Sequence, residues 1–198
     1  MRYPEFFDEI EPIVLVDELG GFLGTFEDGI VEIRYLDVVR MAGHSCATVA
    51  GAWLMTRAAL AALWPDGLPV RGGVRVALRE EAGVGNTGVV GAVIGNITGA
   101  AVGDMGFSGL QGRWVRRGLM VFGSPIGGDV RFTRLDDGAA VDVRYRPGKV
   151  ADPGAILREA LAPGASEAAR SAFPTRWQAM VRTILDRADE VVEVEPVR

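Results

Sequence analysis

Hydrophobic and polar side chains alternate in some short stretches of the chain and recur at helical spacing in others. "IVLVD", residues 13–17, reads as a short strand, and the glycine-punctuated "ELGGFLG" after it as a turn. "IVEIRY", 30–35, alternates apolar and charged residues as a half-buried strand does. "LDVVRMAGH" suits a short helix, and a long one is predicted from about Ser45 to Leu63, with Ser45 as its N-cap. Val49, Trp53, Leu54, Leu60 and Leu63 keep helical spacing along it, and "PDG" at 65–67 stops it. "GVRVALRE", 73–80, is another alternating strand, and a glycine-rich helix is predicted over 87–98.

The later pattern predicts three strands, "WVRRGLMVFG" (114–123), "GDVRFTRLDDG" (128–138) and "AAVDVRYRP" (139–147), with "DDG" as a hairpin signal. From Asp152 the chain turns helical, with that aspartate as N-cap and Pro153 at the first helical position. "FPTRWQAMVRTILDRADEVVEV" supplies a longer amphipathic helix and a frayed tail. The order predicts an α+β fold: a mixed sheet packed by the long helix of the N-terminal half and by the glycine-rich helix. Its core domain spans 1–150, and a helical C-terminal extension, 151–198, packs on that core.

Composition narrows the class. With 198 residues, 48% hydrophobic and 24% charged, the chain can bury a sizeable core. A net charge of −5 argues against nucleic-acid binding, which needs a basic surface. The single cysteine rules out an intrachain disulfide and suits a reducing, cytoplasmic setting. The N-terminus carries acidic residues where a signal peptide needs a basic region and an apolar run. The most membrane-like segment, 46–64, holds Arg57 near its centre, which would be costly in lipid; a buried helix is expected instead.

Several motifs carry candidate chemistry. Gly91, Gly95 and Gly99 are spaced four apart and share one helical face. Each costs the helix about 1 kcal/mol relative to alanine, which close packing or a groove for a flat ligand would offset. "GVGNTG" supplies a literal G-x-G-x-x-G at Gly83, Gly85 and Gly88. Glu80 and Glu81 would repel a pyrophosphate there, and no second βαβ strand ending in an acid follows, so dinucleotide binding is not expected. Arg113, Arg116 and Arg117 around Trp114 could hold an anion; the plainer reading is a strand with an exposed basic face. Asp104 lies in a glycine-rich loop, where function often resides.

The one histidine and the one cysteine, His44 and Cys46, are separated by Ser45 alone. Thiolate and imidazole are both good ligands for transition metals. On a regular helix residues i and i+2 diverge, so joint ligation requires a non-helical backbone at this point. A helix start would also place the sulfur at the positive end of the helix dipole, which favours its anionic form. A cysteine nucleophile with histidine as base is a further option, and plain packing another.

"LDVVRMAGHSCATVAGAWLMTRAAL" resembles the signature of the formylmethanofuran dehydrogenase E-type subunit family, which shows G-H-x-C-P-G before a small-residue helix. "GAVIGNITGAAVGDMGF" followed by "RRGLMVFG" resembles that family's second block, so the likeness runs over roughly residues 30–147. The resemblance implies an α+β core, a homodimer and a metal site in which His44 and Cys46 take part. Ala47 stands where proline is usual, the second block lacks its cysteine, and no cysteine-rich zinc finger follows. His44 and Cys46 alone cannot close a four-coordinate site. Asp104, Glu80, Glu81 or Asn86, or else water, a ligand or a second copy of the chain, must complete it. Zinc is the first expectation, with nickel or iron as options. An open metal of this kind could act as a Lewis acid on a small molecule in a cleft lined by Gly91, Gly95 and Gly99. The rival expectations are a haem- or pterin-binding module and a non-catalytic component of a larger complex.

Overall fold

The computed structural model describes residues 2–197. Strands are β1 (Ile13–Val16), β2 (Ile30–Ile33), β3 (Val74–Leu78), β4 (Met120–Val121), β5 (Val130–Arg134), β6 (Ala140–Tyr145) and β7 (Val192–Pro196). Helices are α1 (Glu18–Phe22), α2 (Tyr35–Ala42), α3 (Ala47–Leu63), α4 (Thr87–Thr98), α5 (Pro153–Leu161), α6 (Glu167–Asp186) and α7 (Ala188–Val191). The fold is α+β. Five strands form one mixed sheet in the order β4-β3-β5-β6-β7, with β3 and β4 parallel and the other pairs antiparallel. β1 and β2 form a separate antiparallel ribbon, tied to the segment before β3 by the Val16–Val70 bridge.

The alternation along the strands explains the layering. Val74, Val76, Leu78, Val130, Phe132, Val141 and Val143 are buried on one face, against which α3 packs. The other face carries Arg131, Asp142 and Arg144, with Arg131 bridging Asp142 on the neighbouring strand at 2.7 Å. α3 is buried nearly all round because the sheet, α2, α4 and α6 surround it. That enclosure accounts for its membrane-like composition; no helix among the described residues is long and apolar enough to cross a membrane. Trp53, wholly buried on α3, stacks edge-on with Tyr35 of α2 at 5.7 Å.

Three expectations need correction. Residues 151–198 are not an extension on a finished core. Met180, Val181, Ile184 and Leu185 of α6 are buried in that core, and β7 completes the sheet beside β6. The supposed frayed tail, "VEVEP", is this strand; its alternation suits an edge with one polar face. The strand expected over 114–123 shrinks to Met120–Val121, since Trp114, Gly118 and Gly123 take positive φ.

Candidate functional site

Gly43 ends α2 in the left-handed conformation, φ 77°, and its N–H donates to Val39 O. A bend at His44 then leads the chain through Ser45 and Cys46 into α3. Ser45 is turned inward: it is buried, and its hydroxyl lies 3.0 Å from the Tyr35 hydroxyl. Its carbonyl accepts from Trp177 Nε1 at 3.0 Å and Gln178 Nε2 at 3.2 Å, so α6 clamps this segment from above. His44 is exposed at a bend, whereas Cys46 is half-buried and packs against the core.

His44 Nδ1 donates to the Ala42 carbonyl at 2.9 Å, which leaves Nε2 with a free lone pair in solvent. Cys46, at φ −152° and ψ 174°, is the N-cap of α3, and its sulfur accepts from Val49 N at 3.5 Å. The expected cap, Ser45, is displaced from that role because its hydroxyl is engaged by Tyr35. Tyr145 stands beside this turn. Its hydroxyl donates to Ala47 O at 2.8 Å, and its ring lies against Gly51, where a Cβ would come within 2.3 Å of it. Burial, together with the nearby Cys46 and Tyr35, raises the Tyr145 phenol above its ordinary pKa and keeps it a neutral donor.

Asn86 Nδ2 donates to Thr48 Oγ1 at 3.0 Å and ties the start of α4 to the start of α3. Next to this junction is a pocket of about 230 Å³, with Met55, Leu78, Val90 and Val130 as its apolar lining. Arg79, Glu80, Thr87, Asp129 and Tyr145 supply its polar groups. Asp129 accepts from Tyr145 N at 2.9 Å and from Arg146 at 2.7 Å, while Arg79 Nη2 donates to Gly127 O. Arg79 Nε is buried and has no partner.

The candidate ligands divide. Asn86 sits at the α3–α4 junction and Glu80 on the pocket wall. Glu81 instead packs its carboxylate against Gly123. Asp104 follows the C-terminal end of α4, a helix about 18 Å long, whereas the turn at Cys46 is tied to its N-terminal end through Asn86 and Thr48. Among the described residues no three His, Cys, Asp or Glu side chains converge as a metal cage. The glycine face is also filled. A Cβ at Gly91 would meet the Phe122 ring at 2.6 Å, one at Gly95 the Ala100 carbonyl at 2.8 Å, and one at Gly99 the Arg116 guanidinium at 2.7 Å. Of the two readings of these glycines, the structure has the packing groove rather than a cleft for a flat ligand.

A second polar centre lies at the far end of α4; of its three charged residues the sequence pattern marked only Arg116. Asp17, the N-cap of α1, is 4% exposed; its Oδ1 accepts from Arg116 Nη2 at 2.8 Å and Gly20 N at 3.0 Å, and its Oδ2 from Arg71 Nη1 at 3.0 Å. Arg71 also donates to Ile97 O and Asn96 O, both at 3.0 Å, satisfying the carbonyl end of α4. Burial alone would raise the Asp17 carboxyl, but Gly20 N–H, Arg71 and Arg116 outweigh it and hold it below its ordinary pKa. Arg116 is therefore not on an exposed basic face. Asp17 and Arg116 are 99 positions apart, and no local pattern announces such a pair.

Comparison with known proteins adds no relative: no protein-family model matches the chain, and no curated protein matches its sequence.

Proposed function

We propose that the chain is a metal-binding protein in which His44 and Cys46 supply two ligands of an open site at the joined starts of α3 and α4. The observation that carries this reading is the inward turn of Ser45. It fixes the peptide between the two residues through Trp177 and Gln178, and with His44 Nδ1 spent on Ala42 O, Nε2 is the ring nitrogen left for a metal. Cys46 Sγ lies at the N-terminal end of the 17-residue α3, where it accepts from Val49 N. The likeness of the G-H-S-C block to the pattern of the formylmethanofuran dehydrogenase E-type subunit family points the same way. Zinc fits an imidazole–thiolate pair best, with nickel or iron as alternatives.

Two protein ligands leave coordination positions for water, for a small molecule or for a second copy of the chain. The pocket of about 230 Å³ shares Tyr145 with the surroundings of Cys46 and is sized for a small ligand. A bound metal would supply Lewis acidity there. Glu80, Thr87 and Arg79 are the chain's own groups for orienting what enters. Haem or pterin binding lacks comparable support, because the glycine face is occupied by side chains.

Metal analysis of protein purified without a nickel column tests the reading. About one equivalent of metal per chain is expected, falling below about a tenth in His44→Ala and in Cys46→Ala. A metal content unchanged by both substitutions, or none after reconstitution with zinc, nickel or iron, would overturn it.

A further inference from the structure

The hairpin formed by α5 and α6 keeps an apolar seam that its own fold does not cover. No residue of α5 is buried, and α6 has none buried before Met180, so α5 and the first half of α6 stand off the core. Of α5, Ile156 packs against that core. Leu157 and Leu161, one turn apart on an adjoining face, are 40% and 73% exposed. With Ala160, Arg170 and Phe173 they line an open groove of about 360 Å³. A helix whose apolar stripe is left in water lacks a neighbour.

The charges beside the groove indicate what that neighbour is. Glu159 accepts from Arg176 Nη1 at 2.7 Å and Nη2 at 2.8 Å, which locks α5 to α6, and Arg158 lies 3.7 Å from Asp152. Glu167 and Arg170 remain: both are exposed, and neither has an ion-pair partner among the described residues. They are three residues apart on α6 and so share a face, with Arg170 on the groove wall. An anion and a cation so spaced complement themselves turned end for end. With two copies of α6 antiparallel, each Glu167 meets the other copy's Arg170. Residues 152–176 hold three acids and three arginines, so the hairpin has no excess charge to draw it to an anionic membrane or to nucleic acid.

We propose that this groove is the contact surface for a second copy of the chain. A two-fold axis passes beside Glu167 and Arg170, and Leu157 and Leu161 of the two copies cover one another. α5 is 9 residues long, and with the facing half of α6 it presents a face about 14 Å by 20 Å, on the order of 300 Å². That is below the roughly 800 Å² per partner of a stable complex and sets the dissociation constant on the order of 10–100 μM. The contact does not use His44, Cys46 or a metal.

Sedimentation of the full chain from about 1 μM to about 1 mM, in EDTA so that no metal bridges two copies, tests this. A reversible monomer–dimer equilibrium is expected. Glu167→Arg and Arg170→Glu should each weaken it by about tenfold, since either sets like charges face to face twice in the dimer. An equimolar mixture of the two variants should associate as well as the wild type, because each like-charged face then meets its opposite. Leu161→Ser should weaken association by about tenfold through loss of apolar cover. All three positions are exposed, so the substitutions leave the core intact. A chain that stays monomeric at about 1 mM, a dimer indifferent to Leu161→Ser, or a mixture no better associated than either variant alone would each overturn the proposal.

Discussion

Replacing Gly51 by alanine puts a single methyl into the wall between α3 and Tyr145. On helix propensity alone the change should stabilise α3 by about 1 kcal/mol. The structure reverses that sign. The new Cβ would lie 2.3 Å from Tyr145 Cε1 and 2.5 Å from Cζ, distances no carbon pair tolerates, and α3 is enclosed so that it cannot back away. The Tyr145 ring must therefore rotate or withdraw. Overpacking of this kind costs about 1–3 kcal/mol, and loss of the hydroxyl bond to Ala47 O adds about 1 kcal/mol. Set against the propensity gain, Gly51→Ala should destabilise by about 1–3 kcal/mol in urea unfolding. The double-mutant cycle with Tyr145→Ala isolates the cause: with the ring gone, the same alanine should stabilise by up to about 1 kcal/mol. A neutral or stabilising effect in the wild-type background, or no change of sign in the Tyr145→Ala background, would refute the steric argument. Gly83→Ala, where nothing lies within 4 Å of the added carbon, serves as the control and should be nearly neutral.

Two further outcomes concern the two polar centres. Cys46→Ser should keep or improve the cap on α3, because a hydroxyl is a stronger acceptor than the sulfur 3.5 Å from Val49 N, raising stability by up to about 1 kcal/mol while abolishing metal retention. Thermal unfolding beside metal analysis reads both, and a loss of stability would count against the capping geometry. Asp17→Asn should cost about 3–5 kcal/mol in denaturant, since it leaves the buried Arg116 guanidinium, and the partly exposed Arg71, without their counter-charge. Because the folded Asp17 carboxyl is held below its unfolded value, its stabilisation is complete above about pH 4 and is lost as pH falls through the lower folded value. Acid titration of stability should show this loss in the wild type, and Asp17→Asn should lack that part of it.

Local chemistry makes much of the fold legible. α4 runs over the predicted residues because Gly99 can take the left-handed turn that ends it, and the "DDG" turn joins β5 to β6 in the expected antiparallel pair. Failures come where distant partners decide. "WVRRGLMV" alternates well enough for a strand, yet Arg116 is drawn down to Asp17 and the glycines around it fold the segment into a loop. The alternation in "VVEVE" is a strand signal masked by the amphipathic helix directly before it. The Cys46 neighbourhood is half visible: the helix start is, but Tyr145, Trp177 and Asn86 arrive from segments 38 to 132 positions removed.

The position of β7 bears on how the molecule comes into being. β6 lies between β5 and β7, and from Tyr145 to Val192 the chain leaves the sheet to build α5, α6 and α7 before returning. Until β7 leaves the ribosome, β6 is an open edge, with Val141 and Val143 lacking a neighbour on that side. The closing event joins distant segments, which slows folding and exposes a pairing-competent strand meanwhile. A nascent chain, or one clipped before Val192, therefore has an aggregation hazard that the finished sheet, with Glu193 and Glu195 along its border, does not.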